Sequence, residues 1–141
     1  MRLQRQVQEG VSTHQAPGTH SAIVITVAVT LALSISAYTP GANAISGGSI
    51  MANGRAPFVG AFACPRRIPL GWTVTVTGDA GRRLEALNLP STGICADRMH
   101  RRYQRHLDVA IPRHYADMTD AQRLSLAYRW GRVSGFVVFT P

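Results

Sequence analysis

Apolar and polar residues alternate with a period of two over several short stretches of the chain. The clearest stretch is Trp72–Thr77, which reads Trp-Thr-Val-Thr-Val-Thr and predicts a half-buried β-strand. A return strand is expected at Arg83–Leu87, after a hairpin-like turn at Gly78–Gly81. Five more short stretches are apolar or alternate weakly, so the predicted strands number six, or seven with the return strand: Ser34–Tyr38, Phe58–Cys64, Gly93–Asp97, Leu107–Ile111 and Val133–Thr140.

A single helix is predicted near the end of the chain. Thr119 is a good N-cap residue, and Asp120 places a negative charge in the first turn. The expected apolar face consists of residues at three-residue steps, and Gly131 ends the helix: Ala121, Leu124, Ala127 and Trp130. Short strands with one late helix predict a mainly β fold, a small barrel or sandwich. A doubly wound α/β sheet is excluded, because too few helices are available to cover it.

The N-terminal third has a different pattern. Residues 1–21 are polar and are expected to be irregular, whereas 22–37 carry no charge. The apolar stretch fits an export signal or membrane anchor, and it fits a β-strand because it is rich in β-branched residues. Sixteen residues are fewer than the roughly 20 that span a bilayer. We favour a targeting segment over 22–33, which divides the chain into a leader at 1–33 and a globular domain at 34–141.

Small residues at two positions could serve as export cleavage sites. The two small-x-small sequences that fit such a site end at Ala37 and at Ala44. Either way, the expected location is exported or membrane-anchored, with anchoring through 22–37.

The charge of the chain indicates which partners it could bind, and its cysteine content limits the metal sites and disulfides it could form. All 15 basic residues are arginines and the formal net charge is +8, which favours anionic partners such as nucleic acid, phospholipid or an anionic wall polymer. Cys64 and Cys95 are too few for a zinc site. They are compatible with one disulfide in an exported protein, and equally with two buried thiols.

Two of the seven acidic residues stand out. Asp97 and Asp108 lie eleven residues apart, each at or near a predicted strand, and are joined by a strongly basic loop. Neighbouring arginines favour an ionised carboxylate, while an apolar environment favours the protonated acid. One protonated and one ionised carboxyl is the arrangement that cleaves glycosidic bonds. The alternative is that both aspartates are structural and make turn and arginine contacts.

The basic run Arg98–Arg105 allows two interpretations. It could bind phosphates, with Tyr103 as a stacking side chain, or it could be an ordinary solvated loop. His100, His106 and His114 could converge in space, but no histidine pair has ligand spacing, so no metal is expected. Nucleotide-binding and nucleophile-elbow motifs are absent from the sequence, and no cofactor is predicted.

Taken in order, several short motifs resemble the 3D domain, a family named for three aspartates. That family belongs to the double-psi β-barrel group, together with MltA-type lytic transglycosylases, RlpA-like proteins and expansins. The spacing of Asp97 and Asp108 is similar to that of the family's Asp-Arg and Ile-Asp motifs. The resemblance covers roughly residues 34–140 and rests on six motifs: Ser-Ala-Tyr-Thr-Pro (36–40), Met-Ala-Asn-Gly-Arg (51–55), Ala-Cys-Pro-Arg-Arg-Ile-Pro-Leu-Gly-Trp-Thr-Val (63–74), Cys-Ala-Asp-Arg (95–98), His-Leu-Asp-Val (106–109) and Trp-Gly-Arg (130–132).

The resemblance implies a six-stranded double-psi barrel with a groove across one face. It implies that Asp108 is the general acid/base and Asp97 its partner, acting on peptidoglycan or a related polysaccharide by lytic transglycosylation. Asn53 and Arg55 are expected to line the groove.

Further substrate contacts are expected from the loop between the aspartates, through Arg98, Tyr103 and His106. The chain departs from the family because residues 34–62 contain no Asp or Glu where the third aspartate is expected. A non-catalytic, expansin-like glycan-binding barrel therefore stays open as an alternative. The arginine run and the net charge of +8 leave open a second, less favoured one, a nucleic-acid-binding barrel.

Overall fold

The computed structural model describes residues 5–15, 21–40, 50–113 and 115–141, and side chains within these ranges from residue 27 onward. As the sequence predicts, the fold is mainly β. The elements are, in chain order, β1 (Arg5–Gln15), β2 (Ser21–Tyr38), β3 (Ala61–Cys64), β4 (Thr73–Val76), α1 (Gly78–Ala86), β5 (Thr92–Arg98), β6 (His106–Ala110), a 3-10 turn (Tyr115–Asp117), α2 (Asp120–Trp130) and β7 (Val133–Thr140).

Six of the strands pair in a closed circuit. The order across the sheet is β1-β2-β6-β3-β5-β4-β7, and β7 pairs in addition with β2. β2 therefore has neighbours β6 and β7 within the circuit, while β1 extends the sheet from β2 outside it. The β2–β6 and β3–β5 pairs are parallel and the other pairs are antiparallel.

The alternating pattern of each strand sorts its side chains between two faces. In β2, the buried residues occupy every second position: Val29, Leu31, Leu33 and Ile35. They join the main core with residues of β4, β6 and β7 such as Val74, Leu107 and Phe139. A small second cluster, formed by Met51, Ala61, Ala96 and Ala110, lies on the other face with Tyr38 and Phe58 packed against it.

β2 crosses the expected boundary between residues 33 and 34 without a break. Val29 pairs with Phe139 and Leu33 with Gly135, so the strand belongs to the closed circuit well before Ser34. The strand interpretation thus describes the apolar stretch 22–37 in this structure. A targeting role stays a prediction, and the cleavage site at Ala44 lies outside the described residues. Among the described residues, no helix has the length and apolar content needed to cross a bilayer.

The expected irregular leader is wrong for Arg5–Gln15. These residues form β1, which pairs antiparallel with β2 from Arg5–Leu31 to Gln15–Ser21. A polar sequence can form this strand because backbone hydrogen bonds to an adjacent strand require no apolar side chain. The hydrophobic pattern carries no signal for such a strand.

The predicted turn at 78–81 and return strand at Arg83–Leu87 are also wrong, because this stretch forms helix α1. Ala80 and Leu84, four residues apart, are both buried and anchor one helical face to the core. Gly81 allows close packing on β4, since a Cβ there would lie 2.3 Å from the Val76 carbonyl oxygen. The described part of the chain consequently forms two α-helices and not the single helix expected.

Helix α2 begins and ends as predicted. The Thr119 side chain accepts a hydrogen bond from the Gln122 backbone N–H, the Gln122 side chain accepts from the Thr119 backbone N–H, and Gly131 follows the last residue. Trp130 of the predicted face is buried, as expected. The other buried positions of the helix are Arg123 and Leu126, whereas Ala121 of the predicted face is exposed. A hydrophobicity pattern cannot place an arginine in the core.

Cys64 and Cys95 form a disulfide between the neighbouring strands β3 and β5. Their Cα atoms are 5.7 Å apart, and both residues are fully buried in the main core. Of the two interpretations of this pair, the structure has the disulfide.

Candidate functional site

The two aspartates lie on the same face of the sheet. Ala63 in β3 pairs with Asp108 in β6 on one side and with Asp97 in β5 on the other, and Ser36 in β2 pairs with Asp108. Paired residues point to the same face. The row Ser36–Asp108–Ala63–Asp97 therefore crosses four strands, with the two aspartate Cα atoms about 10 Å apart, or two strand spacings. Between them lies Ala63, whose small side chain is buried.

A β-bulge directs Asp97 toward this face. Residues two apart in a regular strand share a face, so Cys95 in the core would require Asp97 to point inward as well. The register shifts here, because Phe62 pairs with Cys95 while the next residue, Ala63, pairs with Asp97. Ala96 is the extra residue of the bulge, and it returns Asp97 to the face opposite the core.

Three hydrogen bonds fix the Asp97 carboxyl. Oδ1 accepts from the backbone N–H of Ala52 at 3.0 Å and from that of Arg98 at 2.9 Å. Oδ2 accepts from the Tyr38 hydroxyl at 3.3 Å. Burial raises the pKa of Tyr38 strongly, and the nearby carboxylates, Asp97 and Asp108, raise it further. The phenol therefore stays a donor, and Asp97 is held in one orientation beside the loop at 50–58.

Asp108 has a different environment. Burial raises the pKa of its carboxyl from the usual 3.8 to about 6, Arg132 opposes this rise, and Asp97 adds to it. Such a group is substantially protonated in mildly acidic solution. It can both donate a proton to a bound molecule and take one back, which is what general acid–base catalysis requires.

Arg132 reaches this row from the start of β7. The last pair between β2 and β7 is Ile35–Val133, so Arg132 lies one residue before β7, beside Ser36 and two strand spacings from Asp108. Burial lowers the pKa of His106, and Arg132 lowers it further. The guanidinium thus acts electrostatically on two side chains of β6.

An open pocket of about 350 Å³ lies next to the row and is lined by Ser34, Arg105, His106, Arg132 and Ser134. Ser34 pairs with both His106 and Ser134, which aligns three of these side chains across β7, β2 and β6. Tyr103 is 49% exposed. Its ring stands edge-on to the His106 ring, with the ring centroids 5.4 Å apart. Tyr103 and His106 therefore lie together at one end of the candidate site.

The other sequence-predicted residues lie in two places. Asn53 and Arg55 are exposed in the 50–58 loop, whose Ala52 backbone contacts Asp97. The Asn53 side chain accepts a hydrogen bond from the Arg55 N–H at 3.0 Å, and the Arg55 guanidinium lies 5.0 Å from the centre of the Phe58 ring. Arg98 is not brought to the carboxylates, because its guanidinium donates to the carbonyl oxygens of Arg66 and Ile68.

Tyr38 and Arg132 are functional candidates that the residue pattern alone did not single out. Both lie within motifs that carry the family resemblance, at 36–40 and 130–132, and that is the signal that could have found them. Their positions depend on strand register, because Tyr38 donates a hydrogen bond to Asp97 on another strand and Arg132 lowers the pKa of Asp108 on another strand.

Within the described ranges, no three His, Cys, Asp or Glu side chains are placed so that they could hold a metal ion. His114, considered with His100 and His106 as a possible ligand set, lies outside the described residues. Comparison with known protein families, with curated proteins and with solved structures finds no match to this chain.

Proposed function

We propose that the chain is an exported, cell-envelope double-psi β-barrel that cleaves peptidoglycan glycan strands by lytic transglycosylation. One observation carries this proposal. A half-buried carboxyl, Asp108, has a pKa raised to about 6 and shares one face of the sheet with a second carboxyl, Asp97, which is fixed by three hydrogen bonds. This pairing of an acid with a fixed carboxylate suits cleavage of a glycosidic bond.

Two features of the fold support the barrel and its location. The closed circuit of six strands, with two parallel pairs among antiparallel ones, has the strand number that the family resemblance implies. The Cys64–Cys95 disulfide agrees with export, because disulfides persist in oxidising compartments.

In the proposed reaction, Asp108 acts first as an acid. Its carboxyl gives a proton to the oxygen between N-acetylmuramic acid and N-acetylglucosamine while the bond from that oxygen to the muramyl C1 breaks. The Asp108 carboxylate then takes the proton of the muramyl C6 hydroxyl as O6 bonds to C1. The products are a 1,6-anhydromuramyl end and a new free hydroxyl end. No water is consumed, and Asp108 ends protonated as it began.

The neighbouring side chains have separate parts in this reaction. The negative charge of Asp97 helps to keep Asp108 protonated before the reaction, and Tyr38 holds Asp97 in place. Arg132 has the opposite effect and stabilises the Asp108 carboxylate that forms after proton transfer. Asn53 and Arg55 border the carboxylates through the 50–58 loop, while Tyr103 and His106 border them at the other end.

Digestion of purified peptidoglycan, followed by mass spectrometry of the released fragments, tests the proposal. We expect wild type to release anhydromuropeptides and Asp108→Asn to lose at least about 100-fold in rate, the usual contribution of a general acid. Asp79→Asn removes the same charge from an exposed position on α1 and should match wild type. Equal product release by wild type and Asp108→Asn would refute catalysis by Asp108.

The lack of Asp and Glu between residues 34 and 62 favours one alternative, a non-catalytic glycan-binding barrel. That protein would sediment with insoluble peptidoglycan and release no anhydro products. Its retention would also survive Asp108→Asn. Sedimentation of both variants beside the digestion assay separates binding from cleavage.

A further inference from the structure

The pocket beside His106 is rich in hydrogen-bond donors and positive charge. Among the five described residues that line it, two are arginines, two are serines and none is acidic. Its volume of about 350 Å³ falls within the roughly 300–1,000 Å³ of small-ligand sites. A guanidinium with adjacent hydroxyls is a suitable receptor for a carboxylate, which accepts hydrogen bonds and carries the opposite charge.

The pocket is in register with the catalytic row. His106 and Asp108 are two residues apart on β6, as are Ser34 and Ser36 on β2, so the two rows are about 7 Å apart along the strands. Arg132 contributes to both rows, because it lines the pocket and also acts on the Asp108 carboxyl. A group bound in the pocket would therefore belong to the same molecule whose bond lies over Asp108.

We propose that this pocket is a subsite for a carboxylate carried by the sugar chain, with the Arg132 guanidinium and the Ser34 and Ser134 hydroxyls as its donors. The inference rests on the proposed function for the kind of sugar, and it adds that the substrate must be acidic at this position. In peptidoglycan, a carboxylate can come from the lactyl group of N-acetylmuramic acid where no stem peptide is attached, or from the stem peptide where one is. Both sources present the same chemistry to Arg132.

Binding of a carboxylate in this pocket should also change the pKa of His106. The groups around its ring are Arg132 and Arg105 of the pocket, Asp108 on the same face and the Tyr103 ring. A bound carboxylate offsets the positive charge of Arg132, so the pKa of His106 should rise. A neutral sugar in the same place should leave that effect of Arg132 unchanged.

The experiment compares four ligands by calorimetry at about pH 7 and low salt, where ion pairs are least screened. They are N-acetylmuramic acid, its neutral methyl ester, N-acetylglucosamine and muramyl dipeptide. We expect N-acetylmuramic acid to bind about tenfold or more tightly than the ester and N-acetylglucosamine, the effect of one charge-assisted contact. If only muramyl dipeptide gains affinity over the ester, the carboxylate comes from the stem peptide. Equal affinity for the acidic and neutral ligands would overturn the proposal.

Two variants make the test specific to the pocket. Arg132→Gln should abolish most of the preference for the acidic sugar, and it should remove the rise in His106 pKa followed by NMR. Arg82→Gln, which removes the same charge from exposed helix α1, should keep both. Preserved preference in Arg132→Gln would contradict the assignment of Arg132 as the receptor.

Failure of this inference can be told from failure of the proposed function. The monosaccharide ligands contain no glycosidic bond to cleave, so their binding does not depend on catalysis. Acid-selective binding without anhydromuropeptide release would retain the subsite and refute the transglycosylase. Release of anhydromuropeptides without a preference for acidic ligands would retain the transglycosylase and refute the subsite.

Discussion

The Asp108 carboxyl lies half-buried between a like charge, Asp97, and an opposite one, Arg132. Its pKa reflects the balance of these surroundings, in which burial is the largest influence. The same burial that makes Asp108 a useful acid disfavours its charged form in the folded protein. Chemistry and folding stability therefore oppose each other at this residue.

The pH dependence of the free energy of unfolding should reveal this opposition. Because the folded pKa of about 6 exceeds the usual 3.8, the folded state holds the proton more tightly, and Asp108 lowers stability as pH rises between these values. Above pH 6 the loss amounts to about 3 kcal/mol, at 1.36 kcal/mol per pKa unit. Asp108→Asn should therefore be the more stable protein at pH 7 and lose its advantage near pH 4. Urea titrations at both pH values measure this, and an equal stability difference at both would contradict it.

The charges beside Asp108 should move the pH dependence of activity in opposite directions. A general acid must be protonated, so kcat/KM should fall as pH rises above about 6. Asp97→Asn removes a charge that raises the pKa of Asp108, and the fall should begin at lower pH. Arg132→Gln removes a charge that lowers it, and the fall should begin at higher pH. Shifts in the same direction for both variants would rule out this electrostatic account.

At the scale of elements, Arg123 connects helix α2 to the ends of two strands. Its guanidinium is fully buried and donates to the Ile111 carbonyl at 2.6 Å and to the Pro40 carbonyl at 3.3 Å, while Asp120 accepts at 2.7 Å. Ile111 follows β6 and Pro40 lies just after β2. The helix is thus attached next to the two strands that carry Asp108, Ser36 and Tyr38.

Arg123→Met should loosen this attachment. Methionine fills similar space but leaves two buried carbonyl oxygens without their donor, so we expect a loss of about 2–4 kcal/mol in the free energy of unfolding. Arg129→Met on the exposed side of α2 should change stability by less than about 0.5 kcal/mol. Thermal or urea unfolding of both variants measures the difference. An equal effect of the two substitutions would show that the buried guanidinium does not stabilise the attachment of α2.

Elements with a clear alternating pattern were predictable, and those set by packing or pairing were not. β4 and β7 follow from their own residues, and β7 has its predicted bounds. Helix α1 was missed because the glycines at 78 and 81 suggest a turn, whereas Gly81 serves close packing on β4. The closeness of Asp97 and Asp108 depends on strand order and on the bulge at Ala96, and neither leaves a periodic signal.

For the molecule as a whole, one covalent link joins strands that are far apart in sequence. The Cys64–Cys95 disulfide spans 31 residues and ties β3 to β5 inside the core. Closing a loop of that length in the unfolded chain corresponds to about 3–4 kcal/mol. The double variant Cys64→Ser/Cys95→Ser should therefore lose stability by about this amount, measured by denaturant unfolding. Wild type under reducing denaturant should match it, and unchanged stability in both cases would contradict a structural disulfide.

The bulge at Ala96 also bears on how such chains are compared with one another. A one-residue gap between Cys95 and Asp97 would count as a trivial difference in an alignment, with every aspartate still present. In three dimensions, adjacent residues of a regular strand point to opposite faces, so a chain that lacks Ala96 would form a regular strand and would still place Asp97 opposite the core. The spacing from cysteine to aspartate can therefore differ by one residue between chains that place this carboxyl on the same face, and an alignment gap at Ala96 leaves the pairing with Ala63 possible.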